Sequence, residues 1–351
     1  MLTYQNHILN QELTIIDALK VINSISKAPL VLFVVDENNS MVGTMTDGDI
    51  RRALISGKDI NSKVHHAMNR NFRYLRFGVD DDPEHLREQK QFRMRLVPIV
   101  DENNHIVEII DLDRFKTKLP IDAVLMAGGK GERLRPLTEK TPKPLLPLGD
   151  KPIVDYIVEH IASFGIKNIS VTTNYLHEQI EEHFEKPVGD VMVRTVLEPR
   201  FLGTIGSILF VEEFHNDTVL LMNSDAITDL DLEKFYLHFK EHGADMSIAA
   251  IPYDISVPYG IFELDGRNVK GVLEKPTYNY YANSGIYLIK RECLDLIPKD
   301  TFFNATDFME MLISKGHKVI RYPLNGTWLD IGSPQEYRKA QEIVKHMSFG
   351  K

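Results

Sequence analysis

The sequence predicts a mixed α/β protein in two parts: a largely parallel sheet with helices between its strands, preceded by a smaller α+β unit. Three observations carry that expectation. From Ile121 onward, apolar strands alternate with amphipathic helices; within the first 118 residues one strand-turn-strand pattern occurs twice; and a short polar link, Lys116-Thr-Lys-Leu-Pro120, stands between the two parts. The expected domains are therefore 1–118 and 119–351, since 351 residues exceed the usual size of one compact core.

In the first part the stretch 32–50 is echoed by 96–115, with Asp-Glu-Asn-Asn at 36–39 and again at 101–104. Each copy runs an apolar strand into an Asp/Asn turn and out through a second strand, as a hairpin requires. Helices are expected before both hairpins, from the apolar spacing after Thr14 and from Asp82-Pro83-Glu84. Another is expected after the first hairpin, at Thr46-Asp-Gly-Asp49-Ile-Arg51. The pattern resembles a tandem of CBS domains over about residues 8–116. The resemblance implies that Thr46 and Asp49 hold the phosphate and ribose of an adenine nucleotide, an effector, with Arg51 and Arg52 nearby as phosphate partners. A hydroxyl and free amides at a helix start suit an anion, and a carboxylate can accept both ribose hydroxyls. Thr46 and Asp49 equally fit a capping pair, so both roles stay open. Superposed without gaps, the second copy has Asp111 and Arg114 at these positions, so at most one good site is expected.

In the second part the strands expected are 121–127, 169–174, 191–197, 218–225, 245–251, 282–289 and 317–324, with helices such as 153–165 and 176–184 between them. A sheet of this kind binds its ligands at the carboxyl ends of the strands.

Composition narrows the function. With 43% hydrophobic and 26% charged residues the chain is of ordinary globular type. A net charge of −9 argues against a nucleic-acid surface. The longest apolar run, Pro29 to Val35, is far short of the ~20 residues of a membrane span, and the N-terminus has no signal-like pattern, so a cytoplasmic protein away from membranes is expected. The single cysteine, Cys293, excludes an internal disulfide and gives no metal-ligand cluster, so zinc is not expected. The acidic excess lies mostly beyond residue 120. Anionic substrates would there need a few positioned cations and bound metal rather than a broad positive field.

The first strand of the second part runs into Ala127-Gly128-Gly129-Lys130-Gly131, a loop whose amides can approach a phosphate chain. No Ser or Thr follows Lys130 as in a P-loop, and no helix-packing glycine follows as in a dinucleotide fingerprint. Joined to Arg133-Leu-Arg-Pro-Leu-Thr and Thr141-Pro-Lys143-Pro, the string resembles the signature of the sugar nucleotidyltransferases, which include glucose-1-phosphate thymidylyltransferases and mannose-1-phosphate guanylyltransferases. The resemblance covers about residues 121–340 and implies a Rossmann-like, mostly parallel sheet. By it, Ala127, Gly128, Gly129 and Gly131 line the nucleotide, Arg133 grips the β- and γ-phosphates, and Lys143 the α-phosphate. Glu198, Gly203 and Thr204 contact base and ribose. Gly260, Glu274, Lys275, Asn283, Gly285 and Trp328 match sugar and sugar-phosphate contacts, Lys275 also adding catalytic charge. Asp225 and Asp330 are the implied magnesium ligands. A homo-oligomer is implied by the CBS tandem, and no β-helix extension is expected beyond Asp330.

The implied chemistry needs no general base, because a sugar 1-phosphate has its second ionisation near ~6 and is already mostly dianionic at neutral pH. It needs neutralised, aligned anions for in-line displacement at the α-phosphorus. Glu198 can only accept hydrogen bonds, and guanine offers two adjacent donors, so GTP is the expected nucleoside triphosphate, with a heptose, hexosamine or mannose 1-phosphate as its partner. Thymidylyl, uridylyl or cytidylyl transfer is the alternative. A catalytically inactive regulatory subunit is disfavoured by the presence of Arg133, Lys143, Asp225, Lys275 and Asp330 together.

Overall fold

A computed structural model describes residues 4–25, 29–80, 83–92 and 94–344. It separates into two compact units, Met1–Leu119 with Ser163–Gly165, and Pro120–Ala162 with Ile166–Lys351. Among the described residues, no helix is long and apolar enough to cross a membrane.

The first unit contains β1 (Ile8–Asn10), α1 (Ile15–Ser24), β2 (Val31–Val35), β3 (Met41–Thr46), α2 (Asp47–Ile55), β4 (Leu75–Arg76), α3 (Pro83–Gln91), β5 (Leu96–Val100) and β6 (Ile106–Asp111). Its two sheets, β1-β2-β3 and β4-β5-β6, share one plan: the first strand is parallel to the second and the third antiparallel. The repeated Asp-Glu-Asn-Asn has a physical cause. Asp36 Oδ1 accepts the amides of Asn38 at 2.8 Å and Ser40 at 2.9 Å, and Asp101 Oδ1 those of Asn103 at 2.9 Å and His105 at 2.8 Å. The last Asn of each turn takes a left-handed φ, 61° at Asn39 and 62° at Asn104, which Asn tolerates better than most residues. The two turns meet through Met41 N–H to Asn104 O at 2.8 Å, and Phe33, Met41, Leu96 and Val100 form a small core drawn from both copies.

The second copy departs from its expected form. Asp82 lies outside the described residues, and α3 starts at Pro83, a residue suited to a first helical position. After β6 the chain turns rather than forming a second helix: Arg114 and Phe115 donate back to Asp111 O at 3.2 and 2.9 Å, and Asp111 Oδ1 takes the Asp113 amide.

The second unit begins with β7 (Asp122–Ala127), the small hairpin β8 (Pro147–Leu148) and β9 (Lys151–Pro152), α4 (Ile153–Ala162), β10 (Ile169–Thr173), α5 (His177–Phe184), β11 (Val193–Leu197) and β12 (Thr218–Asn223). There follow β13 (Ala226–Thr228), α6 (Leu232–Glu241), β14 (Met246–Ser256), β15 (Ile261–Asp265), β16 (Asn268–Leu273), β17 (Thr277–Lys290), α7 (Ala305–Ser314), β18 (Val319–Pro323), β19 (Trp328–Asp330) and α8 (Pro334–Val344). The central sheet runs β11-β10-β7-β12-β17-β14-β18, with only β17 antiparallel to its neighbours. This is the mostly parallel Rossmann-like sheet expected, with β17 as its antiparallel member. The almost wholly buried β7, β10 and β12 read as continuous apolar runs because both faces of the sheet are covered. In chain order the first four strands lie 3-2-1-4, so the order reverses between β7 and β12, where such sheets open a ligand crevice.

Two strands outgrow their expected limits. Residues 245–251 and 282–289 are only the buried halves of β14 and β17, which continue together to Ser256 and Thr277 with exposed outer halves.

Candidate active site

Four of the five charged residues singled out in the sequence converge at the β7/β12 switch. Arg133 sits in a 3-10 turn, Glu132–Leu134, just after the glycine loop, and Lys143 opens a second, Lys143–Leu145, between Pro142 and Pro144. The prolines restrict the backbone that aims the lysine. Asp225 lies in the turn between β12 and β13, which Ser224 ties to the end of β7 by donating its hydroxyl to Met126 O at 2.6 Å. The β13/β19 pairing sets Ala226 opposite Asp330, and Ile331 N–H donates to Asp225 O at 3.1 Å. Two carboxylates distant in sequence thus become neighbours.

Their electrostatics suit a bound cation. The Lys143 ammonium donates to Asp225 Oδ2, while Asp225 Oδ1 is buried without a hydrogen-bond partner among the described residues. Burial raises the Asp330 carboxyl above its ordinary value, Asp225 adds to this, and Lys143 and Arg133 pull the other way. A Cβ placed on Gly332 would lie 3.2 Å from the Arg133 guanidinium, the Asp330 carboxylate and the Glu336 carboxylate, so these three crowd one spot. A buried acceptor oxygen without a donor, beside a second carboxylate that resists ionisation, fits a divalent cation, whose charge would relieve both.

Beside the loop stands Glu198, just past β11 and only 2% exposed. Its backbone is held by Thr173 O at 3.0 Å and by the Asn174 amide at 3.2 Å, and its Oε2 accepts Leu202 N–H at 3.1 Å. Burial raises its pKa, opposed only by that one amide. A Cβ on Gly128 would lie 1.9 Å from Glu198 Oε1, so a larger residue there would have to displace the Glu198 carboxylate. Ala127 ends β7, Gly129 and Gly131 continue the loop, and Gly203 packs against the Phe303 carbonyl. The Thr204 hydroxyl accepts Ala305 N–H at 2.9 Å, at the start of α7.

The expected sugar side is divided. Asn283 donates to Tyr287 Oη at 2.8 Å and accepts Gly285 N–H at 2.9 Å, and Trp328 Nε1 donates to Ser284 O at 3.2 Å. The polar groups of Asn283, Trp328 and Thr204 are thus engaged within the protein. Gly285, at φ 76°, admits Asn223: a Cβ there would lie 2.3 Å from Asn223 Nδ2. Gly260, Glu274 and Lys275 lie instead in the exposed breaks between β14 and β15 and between β16 and β17, with Glu274 Oε2 against Gly260. Lys275 holds a left-handed φ of 46° immediately before Pro276, a costly conformation for a lysine.

Sequence reasoning passed over Asn223 and Glu336. Asn223 could have been found, as it ends β12 two residues before Asp225; nothing in the spacing of Glu336 marks it. Cys293 needs a correction too. The fold gathers its Sγ with Asp245 and His317 so that one ligand atom from each lies within 4.8 Å of the others. Asp245 is already paired with Lys290 at 2.6 Å and accepts Lys318 N–H at 2.9 Å, and burial pushes the Cys293 thiol up to about 11, so the group reads as a half-buried ion pair beside a buried thiol.

In the first unit Thr46 and Asp49 cap α2 reciprocally: the Thr46 hydroxyl and amide donate to Asp49 Oδ2 at 2.6 and 2.8 Å, and Asp49 N–H returns to Thr46 Oγ1 at 3.3 Å. Arg52 holds Asp49 Oδ1 at 2.6 Å, and Arg51 pairs with Asp47.

The fold and site define a doubly wound α/β protein with a glycine loop, clustered cations and an acidic pair at its switch point. The chain belongs to the nucleotidyl transferase family, whose model matches residues 122–346, and it carries a CBS domain matched over residues 3–56. It is 29% identical over 235 residues to a mannose-1-phosphate guanylyltransferase of Mycobacterium tuberculosis, covering 64% of this chain and 65% of that one. It is 28% identical over 240 residues to a UTP–glucose-1-phosphate uridylyltransferase of Synechocystis, covering 62% of each chain. The chain thus spans less than two thirds of the length of either relative. Among solved structures, HddC from Yersinia pseudotuberculosis complexed with GMP-PN superposes with a TM-score of 0.51 at 25% identity, over 64% of this chain and 99% of that one.

Proposed function

We propose that this protein transfers a nucleoside monophosphate, GMP from GTP, to a sugar 1-phosphate, releasing pyrophosphate. The observation that carries the reading is the Asp225–Asp330 pair at the switch point, with a buried donor-free oxygen and Lys143 and Arg133 around it. A magnesium ion held by the two carboxylates would neutralise phosphate charge. The chain's own residues do the rest. The glycine loop offers amides to the phosphates, Arg133 and Lys143 balance their charge, and Lys275 meets the incoming sugar phosphate from the opposite side. No side chain need remove a proton, since the attacking phosphate oxygen is already ionised.

Glu198 supports guanine. A buried carboxylate with a single backbone donor is under-satisfied, and guanine N1–H and the 2-amino group would supply two donors side by side. The similarity to a named guanylyltransferase and to a structure holding GMP-PN points the same way, while the uridylyltransferase makes UTP the main competitor. Pyrophosphate release over the four common nucleoside triphosphates, crossed with hexose, hexosamine and heptose 1-phosphates, is expected to show highest kcat/KM with GTP. A clear preference for UTP or dTTP refutes the base assignment.

The first unit is proposed to bind one adenine nucleotide at Thr46, Asp49 and Arg51. The capping bonds leave the ribose to compete for Asp49, so modest affinity is expected. Calorimetric titration of AMP, ADP and ATP is expected to give heat with one site per chain, and none with Asp49→Ala. Equal heats, or no binding to the wild type, would leave Thr46 and Asp49 as a helix cap alone.

A further inference from the structure

The hydrogen bonds at one strand end bear on both halves of the nucleotide site. Thr173 closes β10 opposite Ala127 of β7 and Leu197 of β11. The residues that follow, Gly128, Asn174 and Glu198, therefore stand level at the carboxyl ends of three neighbouring parallel strands. Asn174 is the middle one. Its side-chain amide donates to the Glu198 carbonyl at 3.2 Å, and a Cβ placed on Gly128 would lie 3.4 Å from the Asn174 Cβ. Tyr175 and Gln179 reach the other way. The Tyr175 hydroxyl is shared between Thr138 O at 3.1 Å and Glu139 O at 3.2 Å, and Gln179 Nε2 donates to Lys140 O at 3.0 Å. Three successive carbonyls of the stretch leading to Lys143 are thus held by side chains of the β10–α5 junction.

That stretch has little else to hold it. Between Leu134 and Pro142, Thr138 alone is buried, and its hydroxyl donates to Gly131 O at 2.8 Å, which ties the stretch to the glycine loop. A segment that brings cations to a charged cleft gains little from apolar burial, and hydrogen bonds to its carbonyls are what can fix it. The junction also carries strain. Leu176 takes a left-handed φ of 50° at the N-cap of α5, where its side chain makes no cap bond. A non-glycine residue keeps such a conformation only where its surroundings impose it. Here it marks the turn between Asn174, which serves Glu198, and Gln179, which serves Lys140.

We propose that the β10–α5 junction is a positioning element for the nucleotide: Tyr175, with Gln179, sets the stretch that delivers Lys143 to the phosphates, and Asn174 sets the Glu198 that meets the base. The inference rests on the reading of Lys143 and Glu198 as nucleotide contacts. The three junction residues act through those two and need not touch substrate themselves.

Tyr175→Phe keeps the ring and removes only the shared hydroxyl. Its kcat with the best nucleoside triphosphate is expected to fall about tenfold, because small misplacements of a charged group are costly in the transition state, while KM for the sugar 1-phosphate stays unchanged. Amide hydrogen exchange is expected to quicken at residues 135–141 and to stay as in wild type in β7 and β12. A lower melting temperature with full turnover per folded chain overturns the proposal, and so does unchanged exchange at 135–141. A second arm asks whether the effect runs through Lys143. Adding Tyr175→Phe to Lys143→Ala is expected to slow turnover by no more than about twofold further, whereas a second full tenfold loss overturns the proposal. In the third arm, Asn174→Ala is expected to lower the ratio of GTP to UTP efficiency by about fivefold, as a loosened Glu198 would, and an unchanged ratio overturns that half. Wild-type turnover in Lys143→Ala would instead defeat the site reading, and the exchange rates at 135–141 would still decide whether Tyr175 holds the stretch.

Discussion

Replacing Asp225 with Asn is expected to lower turnover about a thousandfold at saturating magnesium, a loss of about 4 kcal/mol of transition-state stabilisation, while the chain stays folded. Asp225 is the partner of Lys143, and its other oxygen is buried without a donor. An amide there would keep the volume, remove the charge, and present an NH₂ group where a cation is needed. Asp330→Asn should cost as much activity but affect stability differently. Burial, then Asp225, raise the Asp330 pKa, so the folded chain holds that proton more tightly than the unfolded one does. Its favourable contribution is complete below the unfolded pKa and is lost as pH rises through the folded pKa. At neutral pH the ionised group is therefore a cost to the ligand-free chain. Asp330→Asn should melt no lower than wild type at pH 7, with the difference shrinking toward acid. Steady-state kinetics in magnesium, with thermal melts at two pH values, check both halves. Turnover within a few fold of wild type in either variant removes the pair from the metal site.

Much of this arrangement was legible in the chain, and the exceptions have physical reasons. Continuous apolar runs announced β7, β10 and β12, because strands covered on both faces have no polar alternation to confuse. The outer halves of β14 and β17 were missed for the converse reason: polar residues interrupt Tyr278-Asn-Tyr280 and Tyr253-Asp-Ile-Ser256, so neither forms an apolar block. The glycine loop, Lys143, Asp225 and Asp330 were visible as a pattern, yet their convergence depends on the three-residue pairing of β13 with β19, which no local signal encodes. Gly285 was read as a ligand contact. Its φ and the Asn223 amide pressed against it show a packing requirement as well, and that requirement exists only once β12 and β17 lie side by side.

Glu198→Gln is expected to lower kcat/KM for GTP by roughly 50- to 150-fold, about 2–3 kcal/mol, the worth of hydrogen bonds to a charged acceptor in a buried site. A glutamine can take one of the two guanine donors and must oppose the other with its own NH₂. The same substitution should improve uracil or thymine donors, whose N3–H and carbonyl match an amide, so the ratio of GTP to UTP efficiency moves further than either value alone. Stability provides an independent check. Desolvation raises the Glu198 pKa, only the Leu202 amide opposing it, so the contribution of this group is present below its unfolded pKa and lost as pH rises through its folded pKa. Without nucleotide, the wild type should therefore fall behind Glu198→Gln in melting temperature as pH rises through that range, and saturating GTP should restore wild type more than the variant. Unchanged GTP preference in Glu198→Gln would show that the carboxylate does not read the base. Gly128 and Glu198 would then be a packing pair at the end of β7, and the base would have to be chosen by other groups around the loop.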